Sequence, residues 1–100
     1  MSALIVRQTA EFRDWLTRLR DRQAAARIIV RIRRLELGNP GNIRQLGQGL
    51  AEMKIDYGPG YRLYFVKQDA AIIVLLCGGD KSSQRRDIAQ ARTLAEELLR

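Results

Sequence analysis

The sequence predicts one α+β domain over residues 1–100, in which helices pack a mostly antiparallel sheet. Two observations indicate this class: apolar residues recur with helical spacing near both ends of the chain and with a period of two in its middle. A length of 100 residues fits a single domain, and 46% hydrophobic residues suffice for a core. The expected order of elements is β-α-α-β-β-β-β-α.

The first third of the chain is predicted to form a short strand over 4–7 and then a helical hairpin. Thr9 is a suitable N-cap for a helix that runs to about residue 20. The apolar stripe of this helix consists of Phe12, Trp15, Leu16 and Leu19. Asp21 caps a second helix, which ends at Gly38. Its predicted buried face consists of Ala25, Ile28, Ile29, Ile32 and Leu35.

The middle of the chain is predicted to form strands over 43–46, 50–57 and 61–66, separated by turns that contain glycine. A fourth strand, over 71–76, lacks alternation, which is typical of a strand buried on both faces in or near the centre of a sheet. The sequence Gly78-Gly79 should end it.

The last helix is expected to follow directly and to run to the C-terminus. Its alternative caps are Asp80, Ser82 and Ser83. Its apolar stripe consists of Ile88, Ala91, Ala95 and Leu98.

Face parity gives a prediction for the hairpin that residues 50–66 form. The apolar residues of its two strands share one face only if paired residues have an even sum. The register that leaves 58–60 as the loop sets Asp56 opposite Arg62 and Lys54 opposite Tyr64. The face turned away from the core is then predicted to be cationic and aromatic.

The composition excludes several kinds of active site. With no histidine, the chain cannot build a histidine-based triad or a histidine-ligated zinc site. Its one cysteine, Cys77, cannot form an internal disulfide and is expected to be a small buried apolar residue. We expect neither a metal nor a cofactor. Because no signal peptide or apolar run of bilayer length is visible, a cytoplasmic protein without membrane contact is expected.

The charge indicates an anionic partner. Lys and Arg total 18 against 11 acidic residues, and 15 of the 18 are arginine, whose fork suits phosphate and carboxylate. Nucleic acid and an acidic protein are both compatible with a net charge of +7, and a merely solubilising surface is the alternative. Arg27, Arg31 and Arg34 share one face of the second helix, as a basic ridge or an ordinary solvated face.

Four segments carry a pattern that extends over most of the chain. They are WLTRLRDRQAAARI at 15–28, LGQGLAE at 46–52, IDYGPGYR at 55–62 and LCGGDK at 76–81. In this order they resemble the HigB-like addiction-module killer proteins of the RelE/ParE toxin superfamily. The resemblance covers about residues 12–96 and implies a RelE-like fold, which agrees with the predicted order of elements.

The resemblance implies a toxin of a type II toxin–antitoxin system. Its expected partner is a HigA-like helix-turn-helix antitoxin, through which alone it would contact operator DNA. HigB-type and RelE-type members are endoribonucleases that cleave mRNA, many of them on the ribosome, whereas ParE-type members inhibit DNA gyrase. The fold does not decide between these activities. We expect metal-independent cleavage of mRNA through the 2′-hydroxyl, with gyrase inhibition or RNA binding without cleavage as alternatives.

Arg62 matches the strand arginine of the family's Tyr-Arg pattern and is expected to hold the scissile phosphate. An ion pair with Asp56 is the alternative reading. Lys81 follows the two glycines, where a ligand could approach closely, and is expected to protonate the leaving oxygen or neutralise phosphate charge. An ordinary turn lysine is the alternative.

Two further residues complete the expected catalytic group. Lys54 could act as a base or give electrostatic support, and Tyr64 could stack on a base or supply a proton; a solvated lysine and a packing tyrosine are the alternatives. Arg31, Arg34, Arg85 and Arg86 are expected to contact RNA phosphates. Several relatives place a tyrosine or histidine near the C-terminus, but residues 94–100 contain neither, so the proton-transfer groups stay open.

Overall fold

Five strands form one mixed sheet in the computed structural model, which describes residues 4–100. The elements are β1 (Ile5–Gln8), α1 (Ala10–Arg18), α2 (Arg22–Glu36), β2 (Ile43–Gly47), β3 (Leu50–Ile55), β4 (Tyr61–Lys67), β5 (Ile72–Gly79) and α3 (Gln84–Leu98), with a short 3₁₀ turn (Lys81–Ser83) before α3. The strand order is β1-β5-β4-β3-β2, and only β1 and β5 are parallel. The predicted fold class and element order are confirmed.

Side-chain caps begin the first two helices as predicted. The Thr9 hydroxyl accepts a hydrogen bond from the Phe12 amide at 3.0 Å and donates to the Leu76 carbonyl at 2.6 Å, so it also fastens α1 to β5. Asp21 accepts from the amides of Gln23 and Ala24. α1 ends two residues earlier than predicted, because Leu19 has extended backbone angles.

The start of α3 differs from the predicted capping. Asp80 caps the 3₁₀ turn, where its carboxylate accepts from the Ser82 amide at 2.8 Å. Ser83 occupies the N-cap of α3 without a side-chain bond to the helix backbone. The Ser83 hydroxyl donates a hydrogen bond to the buried carboxylate of Asp87, which lies one helical turn further along the chain. This bond joins the 3₁₀ turn to α3.

Helices cover both faces of the sheet, so the domain has two apolar layers. Under α1 and α2 lies a cluster that includes Phe12, Ile28, Met53 and Leu63. Under α3 lies a second cluster that consists of Leu50, Tyr64, Val66, Val74, Leu76, Cys77 and Ala91. The expectation that one face of the β3–β4 hairpin lies outside the core is therefore wrong, because α3 packs across it.

The register of the β3–β4 hairpin keeps the predicted parity but is displaced by two residues. Ile55 pairs with Tyr61 and Lys54 pairs with Arg62, so the loop covers 56–60. Within this loop the Gly60 amide donates to the Tyr57 carbonyl at 3.1 Å, and Gly60 has a φ of 79°. The predicted pairing of Asp56 with Arg62 is therefore wrong.

Two smaller expectations also change. Ile29 was expected on the buried face of α2 but is 46% exposed. The buried residues of α2 lie at 24, 25, 28, 32 and 35, and the side of the helix that they form does not include Ile29. β5 is buried on both faces as predicted, although it lies one place from the centre and includes Gly78 and Gly79. No helix among residues 4–100 has the length and apolar character needed to cross a bilayer.

We expect Gly78→Ala to lower the free energy of unfolding by about 1–3 kcal/mol, the usual cost of overpacking. A Cβ at Gly78 would overlap the ring of Trp15, which lies between Phe12 and Tyr61. Urea denaturation measures the loss. A double-mutant cycle combines this change with Trp15→Leu. The stability losses of the two single variants should add up to more than the loss of the double variant, and strictly additive losses would contradict the overlap.

The Cys77 thiol should not react with an aromatic disulfide reagent at pH 8 in the folded protein. It lies in the second cluster, donates to the Asp87 carbonyl at 3.4 Å, and burial raises its pKa to about 12. A raised pKa keeps the thiol neutral at pH 8, and the thiolate is the reactive form. The absorbance of the released aromatic thiolate measures how fast Cys77 reacts. Full labelling is expected in 6 M guanidinium, and rapid labelling of the native protein would contradict the burial.

Candidate functional site

Three adjoining clefts meet at Lys54, near the ends of β3 and β4 that border the hairpin loop. The helix cleft, of about 660 Å³, is lined by Gln23, Ala26, Arg27, Val30, Arg31, Arg34, Asn42, Lys54, Ile55 and Asp56. The loop cleft, of about 400 Å³, is lined by Lys54, Asp56, Tyr57, Gly58, Pro59, Gly60, Arg62 and Lys81. The Glu52 cleft, of about 260 Å³, is lined by Asn42, Arg44, Glu52, Lys54, Arg62 and Gln84.

Strand pairing brings Lys54 and Arg62 together. They are directly opposite each other on β3 and β4, and both line the loop cleft and the Glu52 cleft. The Lys54 side chain is partly exposed, and its Nζ lies 3.3 Å from an oxygen of the exposed Asp56 carboxylate. Such an exposed ion pair is worth little and exchanges readily for another anion. Lys54 is therefore available to a negatively charged ligand.

Arg62 is 7% exposed and is held at two points. Its Nη1 donates to the Gly60 carbonyl at 2.8 Å, and its Nε lies 3.9 Å from Oε2 of Glu52. This Nε is buried and makes no hydrogen bond within residues 4–100. The guanidinium is thus fixed by the fold rather than free in solvent.

Glu52 is a functional candidate that the sequence reasoning missed. The residue is 4% exposed, and its carboxylate accepts from Nε2 of Gln84 at 3.0 Å and lies 3.4 Å from Nη2 of Arg44. Its place in the alternation of β3, on the face of Lys54, was the available signal. The predicted register hid its meaning, because it set Asp56 rather than Glu52 beside Arg62.

Lys81 joins this group from the 3₁₀ turn after β5. Arg62 pairs with Gly79, so the chain just beyond β5 lies beside Arg62, and the exposed Lys81 lines the loop cleft. Asp80 shapes the turn through its bond to the Ser82 amide. Hydrogen bonding from Ser82 lowers the pKa of Asp80 against the opposing effect of its burial, so this carboxylate is a fixed capping anion.

Tyr64 lies apart from the clefts. Its ring is fully buried under α3, and its hydroxyl, also buried, has no hydrogen-bond partner within residues 4–100. Burial raises the pKa of this hydroxyl far above its ordinary value. The ring has no exposed face on which a base could stack, and Tyr64 pairs with Glu52 rather than with Lys54.

The arginines predicted to bind RNA differ in their availability. Arg31 is half-buried and donates to the carbonyls of Lys54 and Pro40 at 3.0 and 3.1 Å, so it ties α2 to the site. Burial and then the charge of Arg34 lower the pKa of Arg31. Arg34 is exposed in the helix cleft. Arg85 and Arg86 are exposed in the first turn of α3, outside the residues that line the three clefts.

The arrangement is suited to holding a phosphate group. Lys54, Arg62 and Lys81 line one cleft, with a single carboxylate, Asp56, at its edge. A guanidinium fixed by the protein binds phosphate oxygens with two parallel hydrogen bonds, and flexible lysines add point charges around it. Fixed cations of this kind stabilise charge that develops on a phosphoryl group during reaction.

Comparison with known proteins identifies the family of the chain. Residues 14–99 match the family described as "Phage derived protein Gp49-like (DUF891)". An uncharacterised protein of Haemophilus influenzae is 46% identical over 93 residues, which cover 93% of this chain and 94% of that relative. The match includes β2–β5, the three clefts and all of α3. The chain belongs to the Gp49-like family, which is related to the toxins of type II toxin–antitoxin systems.

Proposed function

We propose that this protein is the toxin of a type II toxin–antitoxin system and that it cleaves mRNA, on the ribosome, as HigB-type and RelE-type toxins do. The observation that carries the proposal is the convergence of Lys54, Arg62 and Lys81 on one open cleft. Membership of the Gp49-like family supports a toxin, and the net charge of +7 supports an anionic substrate.

The proposed reaction uses the 2′-hydroxyl of the RNA and no metal. The 2′-oxygen gives its proton to solvent water and attacks the adjacent phosphorus, the bond from phosphorus to the 5′-oxygen breaks, and that oxygen takes up the proton that Lys81 donates. The products are a 2′,3′-cyclic phosphate and a 5′-hydroxyl end. In this reaction Arg62 holds the phosphate oxygens and Lys54 stabilises the charge of the pentacoordinate phosphorane. Lys81 delivers the proton to the 5′-oxygen.

Replacing Arg62 tests the assignment. Arg62→Ala should lower the cleavage rate by about 10²–10³-fold, the usual effect of losing one group that stabilises developing charge. Arg62→Lys keeps the charge without the fork and should restore only part of the rate. Arg33→Ala is the matched control, because Arg33 is exposed on α2 and lies outside the three clefts.

The measurement is primer extension on a defined mRNA after brief induction, with circular dichroism melting of each variant to verify folding. New 5′ ends at in-frame codon positions are expected in the wild type and in Arg33→Ala, but not in Arg62→Ala. Growth arrest without new ends would refute cleavage, and a gyrase supercoiling assay would then test the ParE-like alternative. Cleavage that persists in folded Arg62→Ala would refute the role of Arg62.

We also propose that an acidic segment of a helix-turn-helix antitoxin binds the helix cleft. Ala26 and Val30 are apolar residues in the lining of this cleft. Arg27, Arg34 and Lys54 outnumber the one carboxylate that lines it, Asp56. The Arg27 guanidinium lies over the ring of Tyr57, 4.6 Å from its centroid, which holds this cation beside the cleft. Charge complementarity therefore favours a protein segment with Asp or Glu beside apolar residues. Because Lys54 lines the helix cleft and the loop cleft, the same segment would compete with RNA.

Val30→Glu should leave the toxin active but insensitive to its antitoxin. The change puts a like charge against the proposed acidic segment, at a helix position that is 47% exposed. Ile29→Glu is the matched control, because Ile29 is 46% exposed on the same helix but does not line the cleft. Co-expression with a helix-turn-helix protein encoded in the adjacent reading frame should restore growth of the wild type and Ile29→Glu only. Equal rescue of Val30→Glu would exclude the helix cleft as the binding surface.

A further inference from the structure

Glu52 is a buried carboxylate surrounded by donors that converge from three elements. Arg44 reaches it from β2 at 3.4 Å, Arg62 from β4 at 3.9 Å, and Gln84 from the start of α3 at 3.0 Å. Only 4% of Glu52 is exposed. These contacts make Glu52 the anionic centre of the Glu52 cleft, among residues that otherwise carry positive or neutral polar groups.

Stability alone does not explain a carboxylate at this position. Burying an ion pair costs several kcal/mol of desolvation per ion, and replacing such a pair with well-packed apolar residues is often neutral or stabilising. The neighbours of Glu52 along β3, Ala51 and Met53, are buried apolar residues, and so is its cross-strand neighbour Tyr64. An apolar residue could pack beside Tyr64, but it could not attract the Arg62 guanidinium.

The contacts of Arg62 show what the carboxylate does. The Gly60 carbonyl accepts a hydrogen bond from Nη1 at 2.8 Å, and the Glu52 carboxylate attracts the Nε side of the guanidinium from 3.9 Å, so the two groups act on different sides of it. The buried Nε has no hydrogen-bond partner within residues 4–100, so the carboxylate acts on it through its charge. An arginine held in this way is preorganised, because its fork is oriented before the ligand arrives.

We propose that Glu52 is a positioning residue, which orients the Arg62 guanidinium toward a phosphate group in the adjoining clefts. This inference rests on the proposed function for its substrate, but the orientation itself is a property of the unliganded protein. Loss of the carboxylate charge leaves the guanidinium with its hydrogen bond to the Gly60 carbonyl, about which its plane can turn. Since orientation matters most where charge develops, the loss falls on kcat rather than on KM.

The test compares Glu52→Gln with Glu52→Asp. Glutamine keeps the volume and can still hydrogen bond with Gln84, but it lacks the charge, whereas aspartate keeps the charge on a shorter side chain. Cleavage of a defined mRNA on programmed ribosomes should show kcat lowered by about 10–100-fold in Glu52→Gln. Removal of the groups that orient metal-binding side chains has effects of this size. Glu52→Asp should recover part of kcat, and KM should change little in either.

A second readout does not depend on cleavage. In nuclear magnetic resonance spectra, the Arg62 Nε–H signal, assigned by its loss in Arg62→Lys, should exchange slowly with water in the wild type and broaden in Glu52→Gln. The backbone amide spectrum verifies that the variant is folded. Broadening of this signal supports the positioning even if the wild type does not cleave RNA, in which case only the proposed function fails. An unchanged signal in folded Glu52→Gln, or a loss confined to KM, would overturn the inference.

Discussion

The pairing of Lys54 with Arg62 across β3 and β4 is the constraint on which the candidate site depends. This register places two cations side by side at the loop end of the hairpin, and it sets Glu52 and Gly60 on different sides of the Arg62 guanidinium. A slip of two residues would keep the apolar faces but would bring Asp56 opposite Arg62 instead. The same core is thus compatible with more than one surface chemistry, and the loop decides which is built.

Coverage of the sheet on both faces explains how this small domain can carry the charged loop cleft. The two apolar clusters lie above and below β3, β4 and β5, so these strands are clamped along most of their length. Gly78 and Gly79 allow Trp15 and Asp87 to approach β5 from opposite helical layers. Arg31 adds a brace between α2 and the backbone of Lys54. Two of the three cations of the loop cleft, Lys54 and Arg62, are therefore carried by paired strands, which favours a fixed arrangement of charge.

The periodicity of the chain was sufficient to predict the elements, their order and most of the core under α1 and α2. Arg62 became a candidate through the resemblance to the HigB-like toxins, Lys54 through its place on the same strand face, and Lys81 through the two glycines that precede it. These three residues line one cleft. The sequence could not show that α3 packs across the second face of the hairpin and buries Tyr64, because strand alternation does not identify what covers each face. Glu52 escaped notice for a related reason: its contacts with Arg44 and Arg62 depend on the strand register, and Gln84 reaches it from α3, 32 residues further along the chain.

The loop over 56–60 has a consequence for how this chain can vary. Exposed hairpin loops usually tolerate insertions and deletions, since few contacts depend on their length. Here the loop supplies the Gly60 carbonyl that holds Arg62, the Asp56 carboxylate beside Lys54, and the Tyr57 ring beneath Arg27. A change of one residue in loop length would move all three at once. Homologues should therefore keep this loop at five residues while its solvent-facing side chains drift freely.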